Sequence, residues 1–368
     1  MSSVKIIQDN NKTFSDHSVV TIGTFDGVHI GHQKIIERLV KTAKKDKLKS
    51  VVLTFFPHPR MVLQKDADIK LINTIDERCS ILKQRGLDIL VIKKFTKDFS
   101  RLTAEAFVED ILVKQLHAKK IIIGYDHHFG RNRSANIEDL KVFGKKYDFE
   151  VEEISAQDID AVSVSSTKIR KALEQGDIKT ANSYLGAPFT LSGKVIKGKG
   201  LGNTIHFPTA NLDIEESYKL IPKQGVYIVK TSFKNETLFG MMNIGVNPTI
   251  SSNNKQSIEI HFFNFNQSIY NEFLNIEILE RIRDEQKFDS IETLKSQKKA
   301  AIKAKNTAID LNKEYSAEIA KLKFDNKALH SHHAQVVSAM FDIIPIEKLG
   351  KFVPKVNLEQ KGNIVPIK

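Results

Sequence analysis

Absences narrow this chain first. A single cysteine, Cys79, among 368 residues rules out an intramolecular disulfide framework and suits a reducing compartment. No apolar run reaches the ~20 residues that a membrane-crossing helix needs. The amino-terminal residues Ser2, Ser3, Lys5, Gln8 and Asp9 form no apolar signal core, so a cytoplasmic protein without membrane association is expected. There is no Ser-His-Asp arrangement, no zinc-ligand spacing, no Gly-Lys-Ser/Thr ending of a P-loop and no internal repeat. Positive charge, by contrast, is plentiful but uneven. Of the net +12, the residues from Lys295 onward carry +7, with 14 lysines and no arginine against 7 acidic residues, which leaves +5 for the rest. Such a balance fits nucleic acid, phosphorylated substrates or plain solubility equally. The length exceeds one typical domain, and with 41% hydrophobic residues two cores are expected.

The most informative stretch is Thr21-Ile-Gly-Thr-Phe-Asp-Gly-Val-His-Ile-Gly-His-Gln33. It follows an apolar run (Val19, Val20, Ile22) and enters an amphipathic helical pattern (Ile35, Ile36, Leu39, Val40). A strand, a turn carrying Gly23, Phe25 and Asp26, and a helix start holding Gly31 make a ready anion site. Unpaired N–H groups and the helix dipole converge there. His29 and His32, three apart, both reach one phosphate.

From Val19 to about Tyr184, apolar runs (Val51–Phe56, Ile89–Ile92, Ile121–Ile123, Val151–Ile154) alternate with helical patterns (Gln33–Lys44, Glu77–Gln84, Ala104–Leu116, Asn136–Lys145). This predicts a doubly wound, mostly parallel sheet that binds ligands at the carboxyl ends of its strands. From Pro188 the runs become short and β-rich (Phe189–Ile196, Gly225–Phe233, Leu238–Ile244, Ser257–Phe263, Leu274–Leu279), as in a small antiparallel barrel. A helical pattern runs from Ser290 to about Leu329, and a Pro-punctuated segment ends the chain. The expected divisions are 1–184, 185–305 and 306–368.

Further strings carry chemistry. Thr54-Phe-Phe-Pro-His-Pro-Arg60 places Pro57, His58 and Arg60 in a rigid loop where a second phosphorylated substrate would lie. Asp126 follows the apolar run Ile121–Ile123. His127 and His128 read more simply as polar loop residues. Ser165-Ser-Thr-Lys-Ile-Arg170 offers a serine cap, helix N–H groups, the Ser166 and Thr167 hydroxyls and Arg170 to phosphates; alone, it is equally a capped surface helix. Lys197-Gly-Lys-Gly-Leu-Gly202, with Gly198, Gly200 and Gly202, lets backbone approach a phosphate. In Phe207-Pro-Thr-Ala-Asn-Leu212 the Thr209 hydroxyl and Asn211 amide share one face if extended, and hard oxygen ligands suit Mg²⁺; a turn after proline is the plainer account. Ile258-Glu-Ile-His-Phe262 alternates cleanly; Glu259 on the cavity face of a barrel would be a fitting general base, although from the residues alone a solvent-facing glutamate is the plainer account.

Together the strings G-x-F-D-G-x-H-x-G-H-Q, S-S-T-x-I-R, F-P-T-A-N and E-x-H resemble the bacterial bifunctional riboflavin kinase/FAD synthetase family, up to about residue 305. Met241-Met-Asn-Ile-Gly245 and Arg281-Ile-Arg-Asp-Glu-Gln-Lys-Phe288 extend the likeness. The resemblance implies a Rossmann-like nucleotidyl transferase domain, then a β-barrel flavokinase domain, and two reactions using ATP and Mg²⁺. Riboflavin is phosphorylated to FMN, and FMN is adenylylated to FAD with release of pyrophosphate. It implies that His29, His32 and Arg170 stabilise the phosphates of ATP and that Glu259 is the kinase base. The sequence departs from the family at His206, Asn247 and Asn271, and Gln297-Lys-Lys-Ala300 lacks an aspartate nearby. Two alternatives stand beside this: an adenylyltransferase with a weakened kinase half, and a flavin- or RNA-binding regulator acting through the basic tail. Nucleic acid is not expected as a partner. The apolar stripe Leu311, Tyr315, Ile319 and Leu322 suits packing on the barrel or on another subunit of a homo-oligomer. His330, His332 and His333 read as a solvated run rather than a metal cluster.

Overall fold

A computed structural model describes residues 5–8, 14–64, 68–124, 127–155, 164–198, 209–246 and 256–285. Asp126, Gly200, Gly202, His206, Asn247, the helical pattern from Ser290 and the histidines at 330, 332 and 333 lie outside these. The described residues belong to one compact unit spanning Met1–Lys305.

The first half is a six-stranded sheet, all of it parallel. The strands are β1 (Lys5–Gln8), β2 (Ser18–Ile22), β3 (Lys49–Phe56), β4 (Ile89–Lys94), β5 (Ala118–Gly124) and β6 (Glu150–Ile154), in the order β1-β4-β3-β2-β5-β6. Every residue of β2 is buried, as expected for a strand covered on both faces. The helices are α1 (Ile30–Asp46), α2 (Pro59–Leu63), α3 (Ile75–Gln84), α4 (Ala104–Ala106), α5 (Ile137–Tyr147), α6 (Ser166–Gln175) and α7 (Ile178–Leu185). The pattern predicted one helix over Ala104–Leu116; α4 in fact gives way to a π-helical stretch, Phe107–Gln115. Strand order reverses at β2, with β3 on one side and β5 on the other. The loop after β2 therefore opens at the switch point, where doubly wound sheets bind ligands.

The second half is a closed antiparallel barrel of β7 (Phe189–Ile196), β8 (Ala210–Asp213), β9 (Gly225–Phe233), β10 (Glu236–Val246), β11 (Gln256–Phe262) and β12 (Phe273–Arg283), ordered β10-β11-β8-β7-β12-β9. Its interior is packed with apolar side chains, among them Leu191, Tyr227, Val229, Met242, Ile260 and Ile276. Asn271, where the family commonly has glycine, has φ +67°. Asparagine is among the few non-glycine residues that tolerate that region.

α6 and α7 cover the barrel. Ile169, Leu173 and Ile178 share one hydrophobic core with Phe189, Tyr227 and Ile278, and Ile72 of the sheet half joins them. Asn182 of α7 donates to the carbonyl of Ile278 at 3.0 Å and accepts from the amide of Phe189 at 2.8 Å. On the sheet side of the boundary, Leu71 pairs as a one-residue parallel strand with Lys219.

Candidate active sites

The turn between β2 and α1 is built for a close approach. Phe25 and Val28 hold positive φ values of 47° and 39°, and Gly27 stands at +87°. A Cβ on Gly27 would also meet the Ile72 side chain at 3.0 Å. Gln33 ties this turn down: its amide nitrogen donates to the carbonyls of Val28 and Leu185, each at 2.8 Å. Thr54 of β3 donates to the carbonyl of Thr24 at 3.1 Å.

His29 is the N-cap of α1, its Nδ1 accepting from the amide of His32 at 3.4 Å. That bond leaves Nε2 to carry the proton. The two rings stack with centroids 3.6 Å apart, and His32 meets the edge of Phe25 at 5.0 Å. Burial pulls the His29 pKa down to about 4 against the opposing carboxylate of Asp26. It holds His32 well below the ordinary imidazole value, helped by His29 and Arg78. Both imidazoles are therefore neutral donors at neutral pH. His58, N-cap of α2, accepts from the amide of Arg60 at 3.2 Å. Burial lowers its pKa to about 4 against Asp26, with Arg170, Arg78 and Arg60 adding to the shift. The Asp26 carboxylate acts on both His58 and His29.

Asp26 organises the cluster. Its carboxylate, 1% exposed, accepts from the amides of Ile72 and Asn73 at 3.1 and 3.2 Å and from Arg170 Nη2 at 2.5 Å. Arg78 Nη2 lies 3.6 Å away. The sequence points to Asp26 as a nucleotide-side residue; in the structure its oxygens hold arginines and backbone. Arg170 is gripped a second time, Nε donating to the carbonyl of Lys70 at 2.9 Å. Ser165 caps α6 by accepting from the Lys168 amide at 3.3 Å, and Ser166 Oγ donates to the Asp26 carbonyl at 2.8 Å. The starts of α1 and α6 thus meet at one place, with Thr167 exposed beside them. Gly23 donates its amide to Leu53 at 3.0 Å; Gly31 is buried in the first turn of α1. Pro57 is half-buried and Arg60 is exposed.

Sequence reasoning missed Arg78. It is 1% exposed, with Nη1 3.4 Å from Thr54 Oγ1. The available signal was an arginine one residue past Glu77, where Thr74 and Glu77 form a capping box.

On the barrel, Glu259 lies across the ladder from Asn211 of β8 and from Asn243 of β10. Ile258, Ile260 and Phe262 fill the core, so the half-buried Glu259 and His261 face outward. The expectation of a cavity face is thereby corrected: the barrel interior is solid, and the Glu259 face is its outside. Gly198 touches Asn211 so closely that a Cβ there would fall 2.1 Å from its Nδ2. Thr209 and Asn211 alternate with buried Ala210 and Leu212, as the shared-face reading requires. Asn243 Nδ2 donates to Glu285 at 3.4 Å.

A switch-point cluster of neutral histidines, arginines and helix starts, followed by a closed barrel with its own polar face, is the build of a two-site transferase acting on nucleoside phosphates. Two family models match the chain, FAD synthetase over residues 11–168 and Riboflavin kinase over residues 185–309. The bifunctional riboflavin kinase/FMN adenylyltransferase of Buchnera aphidicola subsp. Schizaphis graminum is 40% identical over 78% of this chain and 93% of its own. That of Listeria monocytogenes is 38% identical over 76% and 89%, and that of Escherichia coli K12 33% identical over 81% and 94%. A crystal structure from Streptococcus pneumoniae, named as a macrolide-efflux protein, superposes with a TM-score of 0.74 at 34% identity over 82% of this chain and 98% of that one; the name is that protein's own. The chain belongs to the bifunctional riboflavin kinase/FMN adenylyltransferase family. It is a riboflavin kinase and an FMN adenylyltransferase, with ATP and flavins as substrates and products. Among the described residues no helix is long and apolar enough to cross a membrane.

Proposed function

We propose that the two activities run at the two sites just described, adenylyl transfer at the sheet's switch point and kinase chemistry on the outer face of the barrel. The gathering of His29, His32, Ser166 and Arg170 around Asp26 carries the first assignment. There the Nε2–H of His29, the His32 ring, the Arg170 guanidinium and the α6 start bearing Ser165, Ser166 and Thr167 bind the phosphates of ATP. An oxygen of the FMN phosphate attacks the α-phosphorus, the bond to the bridging oxygen breaks, and pyrophosphate leaves with the electron pair. Such transfers depend on positioning and charge stabilisation more than on a covalent nucleophile. Pro57, His58 and Arg60 line the flavin side.

On the barrel, Glu259 takes the proton of the riboflavin 5′-hydroxyl as that oxygen forms its bond to the γ-phosphorus, and ADP leaves. Gly198 brings backbone to the phosphates. Thr209 and Asn211 supply neutral hard oxygens, a donor set that fits Mg²⁺ sharing its shell with phosphate and water. Held there, the ion would neutralise phosphate charge. Buried Cys79, unpaired, fits a cytoplasmic setting, and packing through the tail would give a homo-oligomer. Incubating His32→Ala and Glu259→Gln separately with riboflavin, ATP and Mg²⁺, then resolving FMN from FAD, tests the assignment. The first should stop at FMN; the second should convert only supplied FMN. Either variant behaving like the parent refutes its site.

A further inference from the structure

Lys219 belongs to the riboflavin kinase match and lies between β8 and β9, yet its side chain reaches into the sheet half. It is 2% exposed, and its ammonium donates to three oxygens: the carbonyl of Thr190 on β7 at 2.7 Å, Glu77 Oε2 on α3 at 2.5 Å and the carbonyl of Ile72 at 2.7 Å. The last two lie in the sheet half. Glu77 is held in turn, Oε1 accepting from the Ser192 amide at 3.0 Å and Oε2 from the Thr74 amide at 3.0 Å.

Ile72 is the informative partner. Its carbonyl accepts from Lys219 while its own amide donates to Asp26 Oδ2 at 3.1 Å. The same Asp26 oxygen accepts from Arg170 at 2.5 Å. Two residues earlier, the Lys70 carbonyl takes Arg170 Nε. The segment from Lys70 to Asn73 is thus a strap, with one edge holding the Asp26–Arg170 pair and the other fastened to the barrel. Backbone also fastens it: Leu71 donates to the Tyr218 carbonyl at 2.7 Å and accepts from the Leu220 amide at 2.8 Å. A buried ion pair is a poor source of net stability, because desolvating two charges offsets much of their attraction. What the Lys219 ammonium supplies that an apolar side chain would not is the fixed position of the Ile72 peptide.

We propose that Lys219, though it lies in the β8–β9 connection of the kinase half, is a positioning residue for adenylyl transfer at the other site, acting through Ile72 and Asp26 on Arg170. It touches no reacting atom. The proposal rests on the assignment of Arg170 to that site. Misplacing a phosphate-binding group by about an ångström costs up to ~10²-fold in rate, so a loosened strap should be visible in FAD formation and not in FMN formation.

The test uses the full-length enzyme and follows the conversion of riboflavin to FMN and of supplied FMN to FAD separately, with ATP and Mg²⁺. Lys219→Met keeps the length of the side chain and removes the donor. Lys219→Met/Glu77→Gln also removes the carboxylate left without its cation, so it guards against simple misfolding. Both should lose FAD formation roughly tenfold to a hundredfold, chiefly in kcat, with the kinase rate within about threefold of the parent. Parallel loss of both activities that tracks the melting temperature would make the role merely structural and overturn the proposal. So would parent-like FAD formation in the double variant. Arg170→Ala separates the two levels: if it too makes FAD normally, the site assignment falls along with the relay. If it is crippled while the Lys219 variants are not, the relay alone falls.

Discussion

His29 and His32 stack face to face with centroids 3.6 Å apart and planes 19° from parallel, an arrangement two imidazolium ions would not hold. Burial keeps both neutral. The consequence for stability has a definite sign. A histidine whose folded pKa is about 4 against 6.5 unfolded binds its proton more readily when the chain is open. Its contribution is fully present above pH 6.5 and is lost as the pH falls from there to 4. For His29 this amounts to about 3 kcal/mol. Urea midpoints measured from pH 7.5 to 4.5 should fall more steeply for the parent than for His29→Asn. Parallel curves would show that His29 is not held neutral.

Arg78 and Arg170 share Asp26 but stand differently toward it. Arg78 is 1% exposed and sits 3.6 Å from the carboxylate. Arg78→Met leaves Asp26 one cation short in a buried place, a change that typically costs about 3 kcal/mol. The denaturation midpoint should drop accordingly, with FAD formation reduced more than FMN formation. An unchanged midpoint would argue that the pair adds nothing.

Glu259→Gln keeps the shape and removes the base. FMN formation should fall ~10²–10⁴-fold, while supplied FMN is still converted to FAD. Product chromatography decides it, and near-parent phosphorylation of riboflavin would remove Glu259 from the mechanism.

Gly198→Ala places a methyl group 2.1 Å from Asn211 Nδ2, so the Asn211 side chain or the loop must move. The expected result is a higher KM for Mg·ATP in the kinase reaction alone. Equal kinetics in variant and parent would show that the contact is not needed to present Asn211.

The sequence made β2 to β5 legible because they are rich in apolar runs, and the turn before His29 because glycine and histidine sit at a strand-to-helix junction. β1 (Lys5–Gln8) is too short and too polar at its ends to stand out, and β6 carries three glutamates. β8 is only four residues long, too short for periodicity to announce it, so Thr209 just before it and Asn211 within it were readable as a motif rather than as a strand. Arg78, Glu77 and Lys219 were not legible. Each is an ordinary charged residue in an ordinary window, and their burial arises from segments 142 residues apart meeting through Glu77 and Lys219. The face of Glu259 was half legible. Alternation gave the two sides of the strand, but only the filled interior of the barrel shows which side is outside.

The core shared by Ile72, Ile169, Leu173 and Ile178 with Phe189, Tyr227 and Ile278 has a consequence for how the catalytic chain comes apart. Two modules joined by a tether would melt independently, each with its own midpoint. Here the apolar surface of α6 and α7 would be stripped bare if the barrel melted alone, and at ~25 cal/mol per Å² that exposure opposes a stepwise path. Calorimetry should record one cooperative endotherm for both halves, and the midpoint should rise when either riboflavin or FMN is added, because a ligand that holds one half closed holds the other.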